Sequence, residues 1–529
     1  MSTNTERVRL FLDSELSEHE HGLRRVMRPA EKHPDNPLIV ADRPWESPFG
    51  PQLYGTVLPD GPDGALRMWY QSRRGRYLTL ATSGDGIRWE KPELGLAEFE
   101  SSRANNILLA AEHEPKVLRQ VNEPSVVVDP NEPDPERRYK LFYYDKYPAG
   151  TYPKAGLFVA HSPDGLHWSI HADTDVMHAL GDVPDVVWDP VSQRIVCHNK
   201  LIHWEGDEVD AGGAATGRQV SCYGVPGASQ TENGVVRLYG ETLREYADEW
   251  RQQEILLDEA STVRKRAIGR AESVDGLTWS PQRPILRADH NDPPDLEYHG
   301  MPAWRVGDFW IGMAQAMRTI PPPYNGHGMV TELPVEIELA YSRDDATWHR
   351  FAPGEMILPL GPRGAWDAGR IDLATHPVTL GDHEYYYYAA IPQWTFTRWW
   401  REKFSNEPGL TAPGRRDPMM EYGIGLARWR REGFVALRAE GEGALLTKPL
   451  TLNAADLLLN VDASDGEVVV ELIDPAYPTA PPLAVSEVVR ADATRHRLRW
   501  SRGDAGSLGD RSVRLRIGLR HADLYSIAW

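Results

Sequence analysis

The chain predicts an all-β protein: a five-bladed β-propeller followed by a C-terminal β-sandwich. Three observations carry that expectation. A stretch of serine, any residue, aspartate, glycine, two variable residues and tryptophan recurs at residues 83–89, 162–168 and 273–279, with Ser83, Asp85, Gly86 and Trp89 as its first instance. A fourth copy at 342–348 carries Asp345 in the glycine slot. Aspartate and glycine make a turn, tryptophan opens the next strand, and apolar runs such as 78–81 and 157–160 precede it, so each copy is a hairpin corner. The second observation is spacing: tens of residues separate the copies, which suits one four-stranded sheet each and suits a radial array better than a solenoid. The third is composition, since 42 prolines, 45 glycines and 18 tryptophans in 529 residues fit a loop-rich β-protein.

Taken in order, residues 1–37 read as an N-terminal arm. Sparse Val8, Leu10, Leu12, Leu16, Leu23 and Val26 predict some helix lying on the outside of the first blade. The propeller is expected over 38–431. Its first blade opens near Leu38, passes Trp45 and Glu46, and continues through 54–57 and 66–70. The second opens at 122–129 and the third at 181–189, whose turn is delayed by an insertion at about 200–262 that reads as helix from about 241 to 260. The fourth opens at 292–298. The fifth opens at 365–370 and closes near 423–427 without a copy of the turn, so its closure needs other chemistry. From 432 to 529, short alternating strands such as 467–472 and 513–517 between Gly, Asp and Pro turns predict the sandwich.

Composition narrows the function. A formal net charge of −19 argues against a nucleic-acid or anionic-membrane partner, either of which would demand a basic face. Cys197 and Cys222 are the only cysteines and lie in no zinc pattern, so neither a disulfide framework nor a Cys/His zinc site is expected, and no cofactor is called for beyond a possible structural calcium ion. The first 28 residues lack an apolar signal core and no later run could span a bilayer, which predicts a cytoplasmic protein.

Acids recur where blades open: Glu46, Glu123, Asp182 with Asp185, Asp292 with Asp295, and Asp367. The first strand of a propeller blade lines the central channel, so these side chains are expected at one mouth of it. Carboxylates crowded into a partly enclosed pocket repel and are desolvated, which splits their pKa values. Glycoside hydrolysis needs such a split, with a protonated acid for the leaving oxygen and an ionised carboxylate opposite. The plain alternative for any one acid is a turn cap, and a structural calcium ion on the same oxygens is another. Tyr385 to Tyr388, Trp394, Trp399 and Trp400 add aromatic faces beside the fifth blade, for a sugar or for the core.

The repeated turn, the acidic openings and the trailing sandwich together resemble the five-bladed glycosidases of glycoside hydrolase family 32 and its relatives in families 43 and 68. That resemblance implies an exo-acting glycosidase on a small oligosaccharide, with a fructosyl or other furanosidic bond as substrate and carbohydrate as partner. It implies Glu46, beside Trp45, as nucleophile, Asp182 as acid/base and Glu123, in the sequence Asn122–Glu123–Pro124, as transition-state stabiliser. Asp185, Asp295, Asp367, Trp45 and Trp394 are then the substrate-binding residues. The family's aspartate and glutamate are exchanged at the matched positions, and Asn122 stands where its arginine would be. Two alternatives stay open: a non-catalytic glycan-binding propeller, and a sialidase-like hydrolase, whose turn has one more residue between aspartate and glycine. A homo-oligomer is compatible with either.

Overall fold

The computed structural model describes residues 7–529 apart from 61–63, 114–117, 147–154, 173, 179–180, 225–228, 246, 248, 319–333, 393–420, 453–455, 504 and 510. The described residues are strands, turns and a few short 3-10 turns.

Antiparallel sheets follow one another along the chain. The first runs Pro51–Leu58, Leu66–Ser72, Tyr77–Ser83, Ile107–Ala110. Asn122–Val128, Tyr139–Lys146 and Ala155–Ser162 form the second, with Ser169–Ile170 and Met177–His178 sharing its outer edge. In the third, Asp185–Asp189 pairs with Arg194–Val209, then Val263–Ser273 and Arg283–Arg287. Next, Leu296–Tyr298 and Ala303–Val306 both pair with Phe309–Arg318, which pairs with Val335–Ser342. In the last, Arg370–Leu373 and Val378–Leu380 pair with His383–Ile391, and Gly423–Arg430 follows. Pro51–Leu58 packs on Asn122–Val128, that strand on Asp185–Asp189, and that one on Ala303–Val306. Arg370–Leu373 touches Val335–Ser342 and returns to Pro51–Leu58, so the sheets stand in a ring.

The repeated turn shows why the ring holds. In its first copy the Ser83 hydroxyl accepts the Gly86 N–H at 2.8 Å, and Asp85 Oδ1 accepts those of Ile87 and Arg88 at 2.8 and 2.7 Å. Gly86 sits at φ +76°, and a Cβ there would meet the Tyr387 hydroxyl of the last sheet at 2.8 Å. Tyr387 donates to the Gly86 carbonyl and stacks edge-on against Trp89. The second copy docks likewise on the first sheet, where Trp69 Nε1 donates to the Gly165 carbonyl at 2.9 Å. The third packs Trp279 against Phe142 of the second sheet, 5.7 Å between ring centroids. In the fourth, Asp345 keeps the turn's left-handed φ of 60° and uses its carboxylate to bind His198 (2.8 Å) and Arg270 (2.6 Å) of the third sheet. Each corner therefore grips the preceding sheet, and the first grips the last.

The last sheet lacks a turn copy because its outer strand is not the next one in the chain. Glu31–Lys32, from the N-terminal segment, pairs with Gly423–Arg430, and Lys32 Nζ donates to Asp367 at 2.5 Å. The rest of that segment corrects the expected helix. Val8–Leu10, Ser17–His21 and Arg24–Met27 are strands that pair with sandwich strands Ser512–Ala528 and Val435–Thr447, away from the first sheet. The helix expected at about 241–260 is likewise replaced: Glu241–Arg244, Arg251–Gln252 and Ile255–Asp258 are strands whose ladders bury Leu243, Ile255 and Leu257. In both places tertiary pairing overrides local helix propensity. The C-terminal sheets close over Leu437, Leu459, Val470, Leu515 and Ile517.

Candidate active site

Where the first strands begin, Glu123 and Asp182 meet. Both adjoin strained backbone: Glu123 has φ +53° and Val183 has φ +66°, a conformation that a β-branched residue rarely adopts. The two are joined, because the Val183 N–H donates to Glu123 Oε2 at 2.6 Å. On its other side the Glu123 N–H donates to Gln71 Oε1 at 2.5 Å, and Gln71 donates to Gln52 at 3.2 Å. Lys200, from the long strand Arg194–Val209, donates its ammonium to Asp182 Oδ1. The lysine side chain is only 4% exposed while that of Asp182 is 45% exposed, so the aspartate opens on solvent and the cation lies behind it.

Electrostatics sets the two carboxyls apart. Burial, reinforced by the negative charge of Asp182, pushes the Glu123 carboxyl up to about 8, against the opposing pull of Lys200 and the Val183 N–H. Burial opposes ionisation of Asp182 too, yet Lys200, with Arg266 and Arg370 beyond it, holds that carboxyl below its ordinary value. Near neutral pH the pocket thus offers one protonated carboxyl and one carboxylate.

A polar wall faces them. Tyr54 donates to Asp372 Oδ1 at 2.7 Å, Arg370 Nε donates to the same oxygen at 2.8 Å, and Arg370 Nη2 reaches the Tyr54 oxygen at 2.7 Å and His299 Nε2 at 2.5 Å. Burial, then the charges of Lys200 and Arg370, hold His299 far below the usual imidazole range, so it is neutral and accepts from Arg370. Arg266 pairs with Glu297 at 2.6 Å.

The other sequence-predicted residues lie elsewhere or serve other ends. Asp185 is 2% exposed, with burial and then the Glu123 charge pushing its carboxyl well above the usual range; it adjoins the pair but is closed to solvent. Glu46 is fully buried. Its oxygens accept from the Tyr70 hydroxyl and Lys91, each at 2.8 Å, and from the Asp42 and Arg43 N–H groups at 3.2 Å. A carboxylate with no exposed surface and both oxygens engaged cannot attack an anomeric carbon, so the structure corrects its assignment as nucleophile. Trp45 is also corrected, from sugar platform to core: it packs edge-on against Phe99, with Nε1 donating to Asn106 at 2.7 Å. Asp367 is 2% exposed and accepts from Lys32 and Tyr388, which makes it a staple for the outer strand. Asp295 forms a two-pronged pair with Arg318 at 2.9 and 2.6 Å. Tyr386, Tyr387 and Tyr388 are core, whereas Trp394, Trp399 and Trp400 lie outside the described residues.

Among the described residues, His203, Glu205 and Glu245 bring possible metal-ligand atoms within 4.8 Å of one another. The Arg287 guanidinium takes the place a cation would need, donating to His203 Nε2 at 2.6 Å and to Glu245 at 2.7 Å.

No family model and no curated protein matches this chain. Among solved structures it is similar to an N-acetylgalactosamine deacetylase from F. plautii in complex with blood group B trisaccharide, at 15% identity and TM-score 0.42, over 78% of this chain and 96% of that one. It is similar to a thermostable family-43 glycoside hydrolase at 12% identity and TM-score 0.41, over 72% and 91%. A further similarity is to a structure from a study of the GH130 family, described as mannoside phosphorylases that include glycoside hydrolases targeting β-1,2 mannosidic linkages in Candida mannan (13%, TM-score 0.36, over 77% and 94%). These likenesses are distant, and the chemistry of the site rests on its own geometry.

Proposed function

We propose that this protein is a five-bladed propeller glycosidase in which Glu123 is the proton donor and Asp182 the ionised partner. One observation carries the reading. Two adjacent carboxyls at the mouth of the sheet ring are held in opposite protonation states, Glu123 raised to about 8 and Asp182 lowered beside Lys200. Cleavage of a glycosidic bond uses that combination: the acid gives its proton to the departing oxygen, and the carboxylate either activates water or attacks the anomeric carbon. Glu123 thereby takes the acid role that family resemblance gave to Asp182, because the neighbouring lysine keeps Asp182 charged. Tyr54, Arg370, Asp372 and His299 form the wall against which sugar hydroxyls would be oriented. The reaction so written needs only side chains and water, and furanosidic linkages are the first class to try.

The test is release of reducing sugar from a panel of aryl glycosides and of fructo- and arabino-oligosaccharides. Turnover of at least one oligosaccharide, lost by about 10²-fold or more in both Glu123→Gln and Asp182→Asn, is the expected result. Saturable sugar binding without turnover across the panel would make the protein a glycan-binding propeller instead.

A further inference from the structure

Among the described residues, Val183 is the one β-branched residue at positive φ. A valine at φ +66° pays for both its Cβ and its branching, and such conformations persist only where the surroundings over-determine them. The surroundings here are specific. The Val183 side chain is 1% exposed, and it lies so close to Gly300 that a Cβ on that glycine would sit 2.5 Å from Val183 Cγ1. The product of this lock is the direction of a single N–H group, which ends 2.6 Å from Glu123 Oε2.

We propose that Val183 is a positioning residue for the acid: wedged against Gly300, it holds a left-handed turn that aims its N–H at Oε2 and so leaves Oε1 as the oxygen that carries the proton. This rests on the reading of Glu123 as proton donor. A carboxyl oxygen that accepts an N–H behaves as the carbonyl oxygen, so the hydroxyl falls on the other. Without the turn, Glu123 could carry its proton on either oxygen and swing away from the Asp182 side. The groups that face Glu123 are Asp182, Lys200, Asp372, Asp185, Tyr54 and Tyr144, and none of them supplies a fixed N–H to Oε2. The N–H favours the ionised form, whereas burial and Asp182 oppose it.

Three variants test the lock. Val183→Ala removes the methyl that wedges against Gly300 and the strain of branching, while the Cβ still disfavours positive φ, so the unwedged backbone is expected to relax and turn the N–H away. Gly300→Ala pushes on Cγ1 from the other side and should act in the same direction. Val183→Thr keeps the branched shape and should hold the wild-type midpoint, at a cost in stability for its buried hydroxyl. The readout is the carboxylic C=O band that Glu123→Gln deletes, followed by difference infrared spectroscopy against pH. In Val183→Ala and Gly300→Ala its midpoint should move up by about half a unit to one unit, the worth of one hydrogen bond to the ionised form. Turnover should fall roughly tenfold or more with KM changed less than about twofold, as misplacing a reacting group does. An unchanged band and midpoint in whichever of these two variants retains native circular dichroism would overturn the proposal. A shifted band in a protein that turns over no glycoside would leave the lock standing and remove the glycosidase reading.

Discussion

Replacing Glu123 with glutamine deletes one titration and keeps the size of the side chain. In the folded protein this carboxyl is raised from 4.5 to about 8, whereas in the unfolded chain it titrates near its ordinary value. The folded state therefore binds the proton more tightly. This group costs the fold nothing below the unfolded pKa, an increasing amount as pH climbs towards 8, and a constant amount above it. At ~1.4 kcal/mol per unit the gap amounts to a few kcal/mol, shared with Asp182 because the two protons are linked. Glutamine has no such term. Urea or thermal unfolding of wild type and Glu123→Gln should thus give similar stabilities near about pH 5, with the variant gaining on the wild type by a few kcal/mol by about pH 9. Differences that stay constant across that range would refute a raised Glu123, and the acid assignment with it. No substrate is needed for this measurement.

Glu46→Gln should lower the melting temperature and leave turnover within about threefold, because Lys91, 7% exposed, loses its buried partner and keeps only Asp42 and the Val40 carbonyl, a loss of ~1–3 kcal/mol. Lys200→Met should move both limbs of the pH–rate profile upward, since the lysine lowers Asp182 and also restrains Glu123. Gly86→Ala should destabilise the ring by ~1–3 kcal/mol in thermal unfolding, where an added Cβ meets the Tyr387 hydroxyl and the φ of +76° disfavours alanine.

The turn motif was the most legible part of the chain, because its chemistry is local: serine and aspartate satisfy their own N–H groups and glycine supplies the positive φ. The partner each turn grips is long-range and had no sequence signal, nor did the return of Glu31–Lys32 to close the last sheet. Locating the site depended on strand register. Glu123 lies inside the first strand of the second sheet and Asp182 stands three residues ahead of that of the third, so both fall at the mouth. In the first sheet the true opening strand is Pro51–Leu58, one strand later than hydropathy suggested, and the inward side chain is Tyr54 where Glu46 was expected. In the last it is Arg370–Leu373, which contributes Arg370 and Asp372, while Asp367 lies ahead of the strand and caps another. Lys200 carried only a partial sign: an ammonium, after His198 and Asn199, set between the apolar stretches 195–197 and 201–202. Such a residue needs a buried partner.

The role of Glu123 is tested most directly by varying the leaving group. A proton donor matters for a departing alkoxide and hardly at all for a dinitrophenolate, which leaves unaided. Glu123→Gln should therefore lose about 10²-fold or more in kcat/KM on alkyl glycosides and oligosaccharides while staying within about tenfold of wild type on the dinitrophenyl glycoside of the same sugar. Equal losses on both would mean that Glu123 protonates no leaving group.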